Sequence, residues 1–177
     1  MATKPKPLEL EGLMNYAARS LSARAQSSSE LRTRLKRRAA HAPDVEQVLA
    51  RLKDSGLIND QQFATAFTSW RKENQGFGKT RVIRDLMARR VAPALAKKAV
   101  DDAYENVDET AMIEDYLKRK YRGKDLGALL AEEKHLASAF RRLRAAGFSA
   151  AASIRTLKRY AALAERLEEE DLEPPPE

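Results

Sequence analysis

The chain repeats one helical pattern three times, and this repetition restricts the possible folds more than any other feature of the sequence. An arginine-rich helix recurs around Leu35, Leu86 and Leu143, which are 51 and 57 residues apart. A polar insertion in the third repeat accounts for the longer spacing. Small repeated modules must share contacts with their neighbours, because each is too small to bury much apolar surface alone. The sequence therefore predicts an all-α fold, an elongated, curved array of three tandem three-helix repeats.

Local signals mark the three helices of the first repeat. Apolar residues recur every three or four positions, as one buried face of a helix requires. Ser27 and Glu30 have the spacing of a capping box before the second helix, which is predicted to run to about Ala40. Asp44 is the predicted N-cap of the third helix, and Gly56 is predicted to end it, because glycine tolerates left-handed backbone.

The second and third repeats show the same kinds of signal. In the second repeat, Asn59-Asp60 caps the first helix, Thr80 caps the second and Pro93 opens the third. In the third repeat, the predicted caps are Asp108 and Ser149, and the polar stretch 122–133 is assigned no helix. The apolar face predicted for the helix after Asn59 holds Phe63, Ala66, Phe67 and Trp70. This spacing favours a core position for the tryptophan over a role in stacking on a nucleobase.

Charge is unevenly distributed along the chain. The predicted organisation is a disordered N-terminus (1–11), repeats at 12–57, 58–106 and 107–164, and an acidic, proline-rich tail (165–177). Residues 1–164 carry a formal charge of +13 and the tail carries −6, for a net charge of +7. A basic body favours a polyanionic or acidic partner, although a solvated helical surface explains the charge about as well.

The composition speaks against most kinds of enzyme. The chain has no cysteine and only two histidines, so it offers no thiolate nucleophile, no cysteine-based zinc site and no Ser–His–Asp arrangement. The acidic pairs 101–102 and 114–115 are attributed to solvated helix faces or to ion pairs with residues four positions away. The segment 76–80 (Gly-Phe-Gly-Lys-Thr) lacks the earlier glycine of a phosphate-binding loop and is predicted to be a turn. No catalytic residue, metal or cofactor is expected, although a metal-dependent nuclease remains an alternative.

No stretch approaches the roughly 18 apolar residues of a membrane span, and the N-terminal segment lacks the apolar core of a signal peptide. The expectation is a cytoplasmic protein that does not bind membranes.

Basic residues concentrate in the middle helix of each repeat and in the last helix of the third. Because the repeats are related, these clusters are expected to fall on related positions and to form a stripe that suits phosphates or an acidic protein groove. The predicted partner-binding residues are Arg32, Arg34, Lys36, Arg37 and Arg38 in the first repeat, Arg81, Arg84, Arg89 and Arg90 in the second, and Arg141, Arg142, Arg144, Arg155, Lys158 and Arg159 in the third.

Several segments resemble the RecX family of regulatory proteins, over about residues 12–162. Residues 17–24 and 29–35 are similar to the opening of these proteins. The more specific resemblance is Gly-Leu-Ile-Asn-Asp-Gln-Gln-Phe-Ala at 56–64, followed by Arg71 and by Gly-Phe-Gly-Lys-Thr-Arg-Val-Ile at 76–83. The segment 144–149 also fits. The first repeat departs from the family where it has Arg-Arg-Ala-Ala-His in place of a common Lys-Gly turn, and the acidic tail lies outside the pattern.

The resemblance implies a bacterial regulator built from tandem three-helix repeats. Such proteins lie in the groove of the RecA–DNA filament and contact more than one protomer. They block filament growth or promote disassembly, so that strand exchange, ATP hydrolysis and coprotease function fall. The resemblance also implies weak binding to single- and double-stranded DNA, a monomeric state and no enzymatic activity. A basic helical DNA-binding module that acts without RecA is the alternative.

Overall fold

A computed structural model describes residues 6–161 of the chain. Within this range the structure is helical, apart from an isolated parallel bridge between Leu8 and Ala39. The helices are α1 (Leu10–Ala23), α2 (Ser28–Lys36), α3 (Ala42–Asp54), α4 (Asp60–Trp70), α5 (Lys79–Ala88), α6 (Pro93–Ala103), α7 (Glu109–Lys120), α8 (Leu126–Leu130), α9 (Glu133–Ala145) and α10 (Ala150–Leu157). A turn of π-helix, Arg71–Gln75, follows α4. The prediction of an all-α fold of tandem three-helix repeats is confirmed.

The described residues divide into two compact units. The N-terminal unit holds residues up to 67 together with 85–99, and the C-terminal unit holds 68–84 together with residues from 100 onward. The compact units therefore differ from the predicted repeats, because the second repeat contributes residues to both. Each unit has its own apolar core, formed by α1, α2 and α3 in the N-terminal unit and by α7 to α10 in the C-terminal unit.

The leucines that define the repeat are buried in every copy. Leu35, Leu86 and Leu143 are each 0 % exposed. The residues one helical turn earlier in α2, α5 and α9 are equally buried; they are Leu31, Val82 and Ala139. Full burial of a leucine stabilises a fold by about 1.5–3 kcal/mol, so this shared register fixes which face of each middle helix is buried.

Most of the predicted helix caps are present. Ser27 and Glu30 form the capping box at the start of α2, with the Ser27 hydroxyl accepting from the Glu30 amide at 3.1 Å. Asn59 accepts from a backbone amide in the first turn of α4. Asp108 and Ser149 cap α7 and α10 in the same way. Polar caps are predictable because each satisfies amides that lie only two or three residues away.

Two predicted caps and one helix end are wrong. The third helix begins at Ala42, after His41, so that Asp44 lies in its first turn; the fixed φ of Pro43 suits that turn. Thr80 lies inside α5, which begins directly after Gly78. The second helix ends at Lys36 and not near Ala40, because the chain turns there to form the bridge with Leu8.

The predicted disorder of residues 1–11 is wrong for its last part, since Leu8 is paired and α1 begins at Leu10. The short helix α8, capped by Asp125, lies in the polar stretch that was assigned no helix. Residues 1–5 and the acidic tail lie outside the described residues.

The buried face of α4 also differs from the prediction. Ala64 and Thr68 are 0 % exposed, whereas Ala66 is exposed and Trp70 is 50 % exposed. The buried positions of this face carry small side chains, and the larger phenylalanines are only half-buried beside them. Aromatic size in the sequence therefore pointed to the wrong stripe.

Candidate functional site

The middle helices of successive repeats are connected by hydrogen bonds. The N-cap residue of one middle helix donates to a backbone carbonyl just after the middle helix of the next repeat. In the N-terminal unit, the Ser27 hydroxyl donates to the Arg89 carbonyl at 2.6 Å. In the C-terminal unit, the Gly78 amide donates to the Ala146 carbonyl at 2.9 Å. Both donors lie four residues before the first buried apolar residue of their helix, and both acceptors lie three residues after the repeated leucine. Successive repeats are thus joined by equivalent contacts, which we call junction one and junction two.

Arg89, a predicted partner-binding residue, is enclosed at junction one. Its Nε lies 2.8 Å from Oε1 of Glu30, and its Nη2 donates to the Ala25 carbonyl at 2.8 Å. The guanidinium also lies over the rings of Phe63 and Phe67, 5.1 and 5.6 Å from their centroids. The Arg89 and Glu30 side chains are only 26 % and 13 % exposed. The structure therefore assigns Arg89 to the contact between repeats.

A carboxylate clamp adds to junction one. Asp60, the first residue of α4, accepts from the Ser28 amide at 2.6 Å and, with its other oxygen, from the Ser28 hydroxyl. Ser28 is the first residue of α2, where unpaired amides and the helix dipole both favour a negative charge. Two residues of the second repeat, Arg89 and Asp60, thus make polar contacts with the first repeat.

Close backbone approach distinguishes junction two. The Thr80 amide donates to the Gly147 carbonyl at 3.2 Å, and a Cβ placed at Gly78 would overlap that carbonyl. Gly147 itself has φ of +92° and lies against the backbone of Arg81. The Ala145 carbonyl accepts from two predicted site residues, Arg81 at 3.4 Å and Arg84 at 3.3 Å. The glycine-containing segment that starts at Gly76 is thus a turn, as predicted.

The predicted cations of the first repeat are divided between internal contacts and solvent. Arg32 forms a bidentate pair with Glu46, at 2.8 and 3.0 Å; these hydrogen bonds lower the pKa of the Glu46 carboxyl and raise the pKa of the guanidinium. Arg34 donates to the Ser20 hydroxyl, and Arg38 lies over the Tyr16 ring. Lys36 and Arg37 are exposed.

The remaining predicted cations are mostly exposed. They are Arg90 after α5, Arg141, Arg142 and Arg144 in α9, and Arg155, Lys158 and Arg159 in and after α10. Some also make local contacts: Arg144 donates to the Phe148 carbonyl at 2.7 Å, Arg142 lies over the Tyr121 ring, and Arg159 pairs with Glu114.

The basic residues do not occupy one shared position in the three repeats. When the repeated leucines are aligned, Arg84 and Arg141 correspond to Thr33, and Arg34 and Arg142 correspond to Asp85. No position counted from the leucine carries a cation in all three middle helices. Related helices therefore bear the charge, whereas its exact placement differs from repeat to repeat.

A further basic segment escaped the sequence analysis. It lies at the C-terminal end of α7 and just after it, and all of its members are exposed. We call it the basic cluster; it consists of Lys118, Arg119, Lys120, Arg122 and Lys124. Arg119 reaches the end of the π-helix, where its Nη2 donates to the Gln75 carbonyl at 3.3 Å. The signal was available in the sequence as five cations within seven residues, a favourable charge at a helix C-terminus, but the cluster has no counterpart in the other repeats.

The described residues show no arrangement typical of metal catalysis. No group of three or more histidine or acidic side chains among residues 6–161 is placed to hold a metal ion. In the pairs considered above, Glu114 binds Arg159, and Asp101 lies 3.7 Å from Lys79. Within the same residues, no helix has both the length and the apolar character needed to cross a membrane.

Comparison with protein families matches both of the first two repeats. The model for the first three-helix domain of RecX matches residues 14–52, and the model for the second matches residues 59–100. Over these two domains, the chain matches the RecX family. The two matched segments contain both sides of junction one, including Ser27 and Arg89.

Curated relatives agree with this assignment. A regulatory protein RecX of Bacillus subtilis strain 168 is 33 % identical over 92 residues, which are 52 % of this chain and 35 % of that protein. The regulatory protein RecX of Syntrophotalea carbinolica is 27 % identical over 135 residues, 76 % of this chain and 87 % of the relative. The chain thus spans about a third of the first relative and most of the second.

Solved structures support the fold. A crystal structure of RecX from Lactobacillus salivarius superposes with a TM-score of 0.66 at 16 % identity, covering 85 % of this chain and 96 % of that one. A crystal structure of a regulatory protein RecX gives a TM-score of 0.61 at 18 % identity, covering 85 % and 73 %. Both extend beyond the two matched family domains.

Proposed function

We propose that this protein is a negative regulator of the RecA recombinase, which binds in the groove of the RecA–DNA filament and restrains it. Filament extension, strand exchange, ATP hydrolysis and coprotease activity would then fall. The match to two RecX domains supports a regulatory role, and the relatives are named regulatory proteins. The protein itself would act without catalysis, as a binding partner.

The recurring junction is the observation that carries this proposal. Ser27 and Gly78, at equivalent positions, each join one repeat to the next through an equivalent carbonyl. A filament offers the same protomer surface again and again. A ligand with repeated modules can engage several protomers, and weak contacts at linked sites add through effective concentration. Exposed cations in the first and third repeats would supply such contacts.

The direct test is RecA ATPase activity on single-stranded DNA, measured with and without this protein at a substoichiometric ratio. Inhibition at fewer than one copy per RecA protomer is expected, because one bound copy can stop the growth of a whole filament. ATPase activity that stays unchanged, or falls only at stoichiometric amounts by sequestering DNA, would contradict the proposal.

A charge-reversal variant tests the surface. Lys36, Arg37, Arg141 and Arg155 are exposed, and none makes a side-chain hydrogen bond or ion pair with another residue of the described range 6–161. Changing all four to glutamate is expected to weaken RecA inhibition while leaving the melting temperature nearly unchanged. The control exchanges lysine and arginine at the same positions and should retain inhibition. Full inhibition by the reversed variant would place the contact elsewhere. Arg89 is left out because it holds junction one.

A DNA-binding module that acts without RecA is the second candidate, and the exposed basic cluster favours it. Binding dominated by phosphate contacts loses about 10³-fold or more in affinity over a few-fold rise in salt. Inhibition that persists at physiological salt, and that requires RecA in a binding assay, would reject this candidate. Intact plasmid after incubation with magnesium or manganese would likewise dispose of a nuclease.

A further inference from the structure

The last described residues of the chain lie against α7. Arg159 forms an ion pair with Glu114, in the middle of that helix. Ala161 is 8 % exposed and belongs to the core that α7 and α10 share. The rest of the chain, residues 162–177, therefore continues from a point that is fixed beside α7.

The basic cluster begins one helical turn farther along the same helix. Glu114 and Lys118 are four residues apart on α7, so their Cβ atoms are about 6 Å apart on one face. Each extended residue spans at most about 3.3–3.6 Å. Glu165, four residues beyond Ala161, can thus come within reach of Lys118, and the later acidic residues can extend past it.

Most members of the basic cluster lack an acidic ion-pair partner among the described residues. Lys118, Lys120, Arg122 and Lys124 form no ion pair with any acid of residues 6–161. Of the flanking acids, Asp115 and Glu73 share a shallow cleft with Lys118, and Asp125 is engaged as the cap of α8. Five neighbouring cations repel one another, so an anionic ligand would stabilise this end of α7.

The tail supplies such a ligand in the same chain. Residues 165–177 contain seven acidic side chains and one arginine, a formal charge of −6. We propose that the acidic tail docks on the basic cluster of its own chain and competes there with polyanions. Tethering gives the tail a local concentration in the millimolar range, so individually weak ion pairs can add to a useful occupancy.

A docked tail would make the protein selective. Nucleic acid or another polyanion would have to displace seven carboxylates before it reached the cluster, and weak nonspecific contacts would be suppressed. Because the pairs are exposed, the competition would weaken as salt screens them. This inference concerns only this chain and its own tail, so it stands or falls independently of the action on RecA.

Crosslinking of the full-length protein tests where the tail lies. A carbodiimide joins a carboxylate to an amine only when the two are in contact. Tail carboxylates are expected to crosslink to the lysines of the basic cluster, with Lys97 as an exposed control that does not react with the tail. Mixing unlabelled protein with isotope-labelled protein separates the sources. Links within one copy support the proposal, whereas links between copies, or links mainly to other lysines, overturn it.

A binding experiment tests the competition. Fluorescence anisotropy with a single-stranded oligo-dT probe is measured on the full chain and on a variant whose tail is neutralised to glutamine and asparagine. The substitutions are Glu165, Glu168, Glu169, Glu170, Glu173 and Glu177 to Gln, and Asp171 to Asn. Neutralisation is expected to tighten oligo-dT binding on the order of tenfold at low salt, and less at high salt.

Removing seven negative charges would by itself favour tighter oligo-dT binding, through the change in net charge. A second pair of variants therefore distinguishes this general effect from release of the basic cluster by the tail. One neutralises Lys118, Lys120, Arg122 and Lys124 to glutamine; its match neutralises Lys36, Arg37, Arg51 and Lys53, four exposed cations of the N-terminal unit. The effect of the tail should largely vanish in the first background and persist in the second. An equal effect in both backgrounds would show that the tail acts only through net charge and would overturn the proposal.

Discussion

Junction one and junction two join successive repeats by the same backbone plan but with different side-chain chemistry. At junction one, Arg89 reaches back to Glu30 and stacks on two phenylalanine rings. At junction two, the acceptor position is Ala146, and the contact depends on Gly78 and Gly147, which bring backbone against backbone. One junction relies on an enclosed charge, and the other relies on the absence of side chains.

This difference separates the structural features that the repeats share from those in which they differ. The position equivalent to Glu30 in the second repeat is Arg81, which donates to a carbonyl of the third repeat. The direction of the side-chain contact is thus reversed, whereas the acceptor in both junctions is a backbone carbonyl three residues after the repeated leucine. Buried leucines and cap positions are common to the repeats, whereas the side chains that stabilise the two junctions differ. An arginine in a middle helix is therefore no reliable sign of a binding surface.

Gly147→Ala is expected to produce the largest loss of stability, about 3 kcal/mol, because the new Cβ meets the Arg81 backbone and the left-handed conformation is also strained. Gly56→Ala is the matched control. Gly56 also has positive φ, but nothing lies within 4 Å of the added Cβ, so about 1 kcal/mol is expected. Urea unfolding measures both. Equal losses would mean that close approach contributes nothing to junction two.

Arg89→Ala is expected to cost about 2 kcal/mol, because it leaves the mostly buried Glu30 carboxylate without its main partner. Arg89→Lys should recover part of this stability by keeping the charge, although it loses the forked hydrogen bonds. Arg37→Ala, at an exposed position, should stay within about 0.5 kcal/mol of the parent. The cost at Arg89 should shrink in high salt, unlike that at Gly147. An Arg89→Ala variant as stable as Arg37→Ala would remove the distinction between the two junctions.

Arg90→Gly is expected to stabilise the protein by about 1 kcal/mol. Arg90 has φ of +58° and occupies the position that Gly147 holds in the third repeat. The two turns share their hydrogen bonds: Val91 donates to the Leu86 carbonyl at 3.1 Å, as the corresponding residue after Gly147 does in its own repeat. A fall in the urea midpoint of this variant would show that the arginine side chain stabilises the turn by more than its strained backbone costs.

The smallest expected effect concerns Tyr104, beside junction two. Its hydroxyl donates to the Phe77 carbonyl at 2.5 Å, and burial raises its pKa to about 12. In the unfolded chain a tyrosine loses its proton near pH 10, so the contribution of the neutral hydroxyl is present below about pH 10 and is lost as pH rises toward 12. Stability measured over this range should fall less steeply in Tyr104→Phe than in the parent. Parallel curves would show that Tyr104 ionises as freely as an exposed tyrosine.

Much of the helical scaffold could be predicted because its causes are local. The stripe containing Leu35 follows from a spacing of three or four residues, and Ser27 caps a helix through an amide three residues away. The contact of Arg89 with Glu30 could not be predicted, because it spans 59 positions of the chain and depends on how two repeats meet. Trp70 was misplaced because size and spacing alone cannot show which of two adjacent stripes is buried.

The candidate site depends more on tertiary contacts than the helices do. The predicted site follows charge density, yet Arg32, Arg34, Arg81 and Arg89 all engage other residues of the chain. Only coordinates distinguish an arginine that is paired internally from one that is available to a partner. The basic cluster was overlooked because it is present in only one repeat. A prediction based on recurrence identifies only features that several repeats share.

Affinity for assembled RecA against unassembled RecA tests the central claim most directly. The measurement compares binding of the full chain to RecA filaments on single-stranded DNA with binding to RecA kept free of DNA and nucleotide, at the same physiological salt. Repeated modules that touch several protomers together predict much tighter binding to the filament, because the later contacts form at high effective concentration. Equal affinity for the two forms of RecA would contradict the account.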